Sequence, residues 1–100
     1  MDIKITDKAL DWFKREVELQ PGFGIRFFGK IYGDTQVHDG FSVGMSVDQP
    51  VNPMYEETIE GLQFFAEETD DWFFKGLEMV VDFDAVLDEP KYMFSELEKN

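Results

Sequence analysis

Residues 41–48 alternate strictly: Phe41, Val43, Met45 and Val47 fall on one side of an extended chain, Ser42, Gly44, Ser46 and Asp48 on the other. Period-two patterning of this kind predicts a strand with one apolar face. Gly44 in its middle predicts a bulge or a close backbone approach. The same alternation returns in "LEMVVDF" (77–83), with Leu77, Met79, Val81 and Phe83 inward and Glu78 and Asp82 outward; Val80 breaks the pattern. A helical period governs the first segment instead. Ala9, Leu10, Phe13 and Val17 share one stripe, Thr6 suits the N-cap, and Asp7 suits the positive end of the helix dipole. "QPGFG" (20–24) is expected to stop that helix, since Pro21 cannot continue the ladder and Gly22 permits a left-handed turn.

The remaining elements follow from shorter signals. "GIRFFG" (24–29) reads as a strand closed by Gly29, and the glycine-punctuated "GKIYGDTQVHDG" as a hairpin connection. Two prolines in "DQPVNPMYEE" (48–57) predict a loop. "TIEGLQFFAEE" (58–68) reads as two short strands around Gly61, or as one strand from Leu62 to Ala66. Thr69 as cap, Asp70 and Asp71 in a first turn, Trp72, Phe73 and Phe74 as body and Lys75-Gly76 as stop give a short-helix signature. Three consecutive aromatics about 100° apart cannot all point inward, so at least one is expected near the surface. A last strand, "KYMF" (91–94), precedes the acidic "SELEKN". The order predicts one α+β, β-rich domain over residues 1–100, mostly antiparallel, with an N-terminal helix and a short second helix.

Composition narrows the function classes. The chain has 100 residues, 43% of them hydrophobic, with eleven Phe, two Trp and three Tyr, which supplies a core and excludes a disordered chain. Nine Lys and Arg against twenty-two Asp and Glu give a formal charge of −13. That field repels phosphate backbones and anionic lipid, so neither nucleic acid nor membrane is an expected partner. "MDIKITDKAL" has no apolar signal region, and no run approaches the length of a membrane span, so a cytoplasmic location is expected. Zero cysteines exclude disulfides, thiolate catalysis and thiolate-bound metal within the chain. No G-x-S-x-G, H-E-x-x-H, phosphate-binding glycine loop or EF-hand spacing occurs either, and the expectation is a protein that is not an enzyme. The carboxylate clusters Glu56-Glu57-Glu60, Glu67-Glu68-Asp70-Asp71 and Asp82-Asp84-Asp88-Glu89 read as solvated faces; Asp82 and Asp84 on one strand face could hold a cation weakly.

Taken in order, "IKITDKALDWFKREV", "GFGIRFFGK", "HDGFSVGMSVDQP", "GLQFFAEETDDWFFKGLEMVVDF" and "KYMF" resemble the A-type iron–sulfur carrier family, the HesB-like domain. The resemblance runs from about Ile3 to Phe94 and implies the HesB-like fold. Its carriers hold three thiolates, one in a C-S-G position and two in a C-G-C segment, as soft iron–sulfur ligation requires. Here His38 stands in the first position, with Asp39-Gly40-Phe41 where S-G-F would follow, and the C-G-C segment has no counterpart. The implied identity is a cysteine-less divergent member with no stable iron–sulfur cluster and no other cofactor. His38 is the one candidate metal ligand, and pairing of two copies as a homo-oligomer would bring two imidazoles together with two Asp39 carboxylates. The reading against it is a solvated loop histidine. Two functions stay open: a role in iron–sulfur or iron metabolism through a protein partner or a labile metal, and a metal-free protein-interaction module on the same scaffold.

Overall fold

In the computed structural model, which describes residues 1–30 and 42–97, the chain forms two compact units. The first combines residues 1–18 with 76–97, and the second comprises residues 19–75.

The first unit is a three-stranded sheet with a helix on it. β1 (Asp2–Ile5) runs parallel to the central β6 (Leu77–Asp84), which pairs antiparallel with β7 (Glu89–Glu96). Ile3 lies opposite Met79 and Ile5 opposite Val81. The helix α1 (Asp7–Glu16) packs on β6 and β7 through the expected stripe, with Ala9, Leu10 and Phe13 buried. The alternation in β6 is realised over most of its length: Leu77, Met79 and Val81 are buried, Val80 is half-buried on the other face, and Phe83, expected inward, is only half-buried. Thr6 caps α1 by accepting the Ala9 amide at 3.2 Å, and its own amide donates to the Val81 carbonyl at 3.0 Å, which ties the helix start to the sheet.

Three elements of this unit differ from the sequence expectation. β1 was not foreseen, because four residues beside a long helical pattern carry little period-two signal. α1 ends at Glu16, well before Pro21; Val17 turns to extended backbone at φ −115° and its amide closes the last turn on Phe13. No stripe residue follows Val17, so nothing apolar holds a further turn against the sheet. β7 is longer than "KYMF" at both ends, because its register with β6 continues from Leu77–Glu96 to Asp84–Glu89.

The second unit is a four-stranded sheet in the order β3-β2-β5-β4, comprising β2 (Gly24–Lys30), β3 (Ser42–Asp48), β4 (Pro53–Ile59) and β5 (Leu62–Glu67). β2 pairs antiparallel with β3 and parallel with β5, while β4 and β5 form a hairpin. The two-strand reading around Gly61 therefore holds, and Glu60 and Gly61 make the turn with φ of 49° and 86°. The loop expected over 48–57 is only partly a loop, because β4 begins at Pro53. Proline is tolerated there: β4 is an edge strand and Pro53 its first residue, where no ladder donor is missed. A 3-10 turn (Glu68–Asp70) leads into the short helix α2 (Asp71–Phe74). Ile25, Phe27, Phe64, Phe65, Ala66, Phe73 and Phe74 are buried, and Phe27 stacks on Phe64 with centroids 6.1 Å apart. Trp72 is the aromatic left at the surface, half exposed.

Candidate functional site

His38 and Asp39, the candidate ligand pair, lie outside the described residues, as does Phe41. Among the described residues the acidic clusters do not converge as a metal site: no group of three or more His, Asp or Glu is placed to hold an ion. Local hydrogen bonds account for this. The Glu67 carboxylate accepts the amides of Val51 and Asn52 at 3.1–3.3 Å, and Glu68 accepts the Asn52 side-chain amide at 2.8 Å. Asp82 and Asp84, offered as a weak cation pair, are each turned to the backbone. Asp82 accepts the Phe83 amide at 2.9 Å and the Thr6 hydroxyl at 3.0 Å, and these bonds hold its carboxyl below its ordinary value of 3.8. Asp84 accepts the amides of Val86 and Leu87 at 2.9 and 3.1 Å.

Among the described residues of the second unit, a buried ion pair stands out that the sequence reading missed. The sequence pattern makes Asp70 a solvated first-turn acid, yet it is 5% exposed. Arg26, from the centre of the apolar strand β2, reaches it with Nε at 3.1 Å and Nη2 at 2.9 Å. The same carboxylate accepts the Glu67 amide at 3.2 Å, so one side chain closes the 3-10 turn and fixes it to the sheet. Phe28 covers the guanidinium from 5.5 Å, and its ring lies over Gly44 of β3, so close that a Cβ there would sit 2.6 Å from it. The close approach expected at Gly44 is therefore real, and it bears on the apolar face expected of β3: Val43 is buried, but Val47 is 46% exposed. β3 is an edge strand, and its far end has less to pack against. Arg26 itself was the available signal, since a cation inside "GIRFFG" needs a buried partner.

In the first unit the β6–β7 connection carries two strongly exposed apolar side chains, beside the lesser exposure of Met93 on β7. Val86 and Leu87 are 93% and 63% exposed. The connection is nevertheless fixed to the helix: Trp12 donates its indole N–H to the Asp88 carbonyl at 3.0 Å, and Arg15 Nη2 lies 2.9 Å from the Asp88 carboxylate. Below it, Tyr92 is pushed up to about 12 by burial and by the neighbouring Glu89 charge.

No family model matches the sequence. The chain is 34% identical over 94 residues to a Bacillus subtilis (strain 168) protein named pyruvate dehydrogenase inhibitor, covering 94% of this chain and 99% of that protein. An uncharacterised Staphylococcus saprophyticus protein is 35% identical over 95 residues, covering 92% of this chain and 97% of its own length. Among solved structures, Escherichia coli SufA, involved in the biosynthesis of iron–sulfur clusters, superposes with a TM-score of 0.59 at 18% identity, covering 96% of this chain and 86% of SufA. IscA with its [2Fe–2S] cluster gives 0.56 at 13% identity, covering 94% and 81%. The HesB-like fold implied by the sequence is thus the observed one. The chain belongs to the family of the Bacillus subtilis pyruvate dehydrogenase inhibitor, and it builds the fold of the A-type iron–sulfur carriers from a sequence without cysteine.

Proposed function

We propose that this protein is a non-enzymatic inhibitor that acts by binding a pyruvate dehydrogenase. One observation carries the reading: the alignment with the Bacillus subtilis inhibitor spans 99% of that protein, so the likeness covers the whole inhibitor and not a shared fragment. Chemistry agrees with it. With no thiolate in the chain, the scaffold lacks what a cluster carrier needs, while an inhibitor needs only a surface. The net charge of −13 steers such a surface toward a basic one on the partner. This reading is the protein-interaction module of the sequence analysis with its partner named, acting in the cytoplasm and with no cofactor.

The test is a titration of the protein into a purified pyruvate dehydrogenase complex, read by NADH formation and by direct binding in interferometry. Saturable inhibition that tracks the binding curve is the expected result. Full activity at large molar excess would overturn it.

The likeness to SufA and IscA favours a second reading, a role in iron–sulfur or iron metabolism through a partner or a labile metal at His38. Anaerobic reconstitution with iron and sulfide separates the two. A protein that stays colourless after desalting supports the first, and a charge-transfer band with stoichiometric iron and sulfide supports the second.

A further inference from the structure

We propose that the tip of the β6–β7 hairpin, Ala85 to Asp88, is the element that docks into the partner, and that it fits an apolar pocket rimmed by Lys and Arg. The inference deepens the inhibitor reading and rests on it. Its starting point is a mismatch between order and solvation. Val86 and Leu87 stand side by side in water, 93% and 63% exposed, while the backbone carrying them is fixed from both sides. On the entry side, the Asp84 carboxylate accepts both of their amides, at 2.9 and 3.1 Å. On the exit side, Asp88 has a left-handed backbone at φ 52°. It is held there by the Trp12 indole on its carbonyl and the Arg15 guanidinium on its carboxylate. Those two donors come from α1, so the helix braces the loop.

A loop ordered in this way has little backbone entropy left to lose on binding, and its two apolar side chains gain by leaving water. The core of the hairpin does not need them: Met79 and Val81 are already fully buried without either. Charge then selects the pocket. Asp84, Asp88 and Glu89 flank the apolar pair in sequence, and Arg15 is paired with Asp88. Three carboxylates against the one Arg15 guanidinium leave the tip net negative, so an acidic rim would repel it, whereas Lys and Arg around the pocket complement it.

The test compares wild type with the double variant Val86→Ser, Leu87→Ser on a purified pyruvate dehydrogenase complex, by interferometry and by NADH formation. The variant should keep the wild-type melting temperature, because the ties through Asp84 and Asp88 do not involve the replaced side chains. Its affinity and its inhibition should weaken roughly tenfold or more, as for loss of an anchor pair. Glu89→Lys should lower the association rate, with the difference shrinking as salt is added. Asp84→Ala, which leaves Val86 and Leu87 in place but frees the loop, should also weaken binding. Wild-type affinity in the double variant would overturn the role of the hairpin while leaving the inhibitor reading standing. Absence of binding by the wild type would overturn both.

Discussion

The Arg26 guanidinium meets the Asp70 carboxylate edge on, Nε 3.1 Å and Nη2 2.9 Å from Oδ2, across forty-four positions of sequence. The pair joins the centre of β2 to the turn that starts α2, and the acid is nearly buried while the base keeps 28% of its side chain exposed. Removing either partner strands the other. Asp70→Leu or Arg26→Met should cost roughly 3 kcal/mol, the scale of a broken buried pair. The double replacement Arg26→Met, Asp70→Leu should cost less than the two single changes added together. Urea midpoints of the four proteins measure this; strictly additive losses would show that the two groups do not depend on each other.

Gly29 and Gly76 are needed for opposite reasons, which a rescue experiment distinguishes. A Cβ at Gly29 would lie 2.7 Å from the ring of buried Phe73 and 2.9 Å from its Cβ, so Gly29→Ala overpacks the core by about 1–3 kcal/mol. Gly76 has open space around it but a φ of +74°, so Gly76→Ala costs about 1–2 kcal/mol in backbone strain alone. Asn, which tolerates the left-handed region, should recover much of the loss at Gly76 and none at Gly29. Phe73→Leu should soften the penalty of Gly29→Ala and leave Gly76→Ala unchanged. Thermal melts of the single and double variants decide it.

These glycines mark where sequence reasoning succeeds and where it stops. The end of α2 and the close approach at Gly44 were legible because glycine in those settings has a local physical cause. The inward face of β6 was legible because one side of it is buried along most of its length. What failed to show is long-range. β1 is a strand because β6 lies beside it, and β4 extends through a proline-marked segment because it sits at a sheet edge. Asp70 looks like a helix-start acid until Arg26 is placed next to it. The hairpin tip is the sharpest case for function: its acids read as a solvated cluster, and the brace that orders it comes from Trp12 and Arg15, more than seventy positions away.

Tyr92 predicts a loss of stability at alkaline pH. Its folded-state value is about 12 against an ordinary 10, so between them the unfolded chain releases a proton that the folded one keeps. The contribution of Tyr92 is therefore full below about pH 10 and declines as pH rises toward 12, by roughly 2–3 kcal/mol in all. Tyr92→Phe should remove that part of the decline, read from denaturant midpoints at neutral and alkaline pH.

Asp82 predicts the corresponding loss in acid. Its carboxyl is held below 3.8 by the Phe83 amide first and the Thr6 hydroxyl second. The contribution is present above 3.8 and is lost as pH falls through the lower folded value, where the carboxylate takes up a proton. Thr6→Val should weaken the helix start at every pH, because the hydroxyl also caps α1, and it should flatten the acid response attributable to Asp82. Stability curves of wild type, Thr6→Val and Asp82→Asn from neutral to acid pH test both parts.

His38 is the residue on which specific metal binding would depend. A ligating imidazole must be neutral, so specific binding through His38 weakens as pH falls through the imidazole range near 6.5. Loose binding to the acidic surface behaves otherwise. It persists until carboxylates protonate near pH 4, fades with added salt, and does not respond to His38→Ala. Calorimetric titration with Zn(II) or anaerobic Fe(II), at about pH 7.5 and about pH 5.5, on wild type and His38→Ala, separates the two. Under the inhibitor reading the two proteins bind metal alike at both pH values, and His38→Ala inhibits pyruvate dehydrogenase as wild type does. A site that vanishes with the imidazole and with acid would instead return the protein to iron metabolism, on a scaffold that has exchanged thiolate for imidazole.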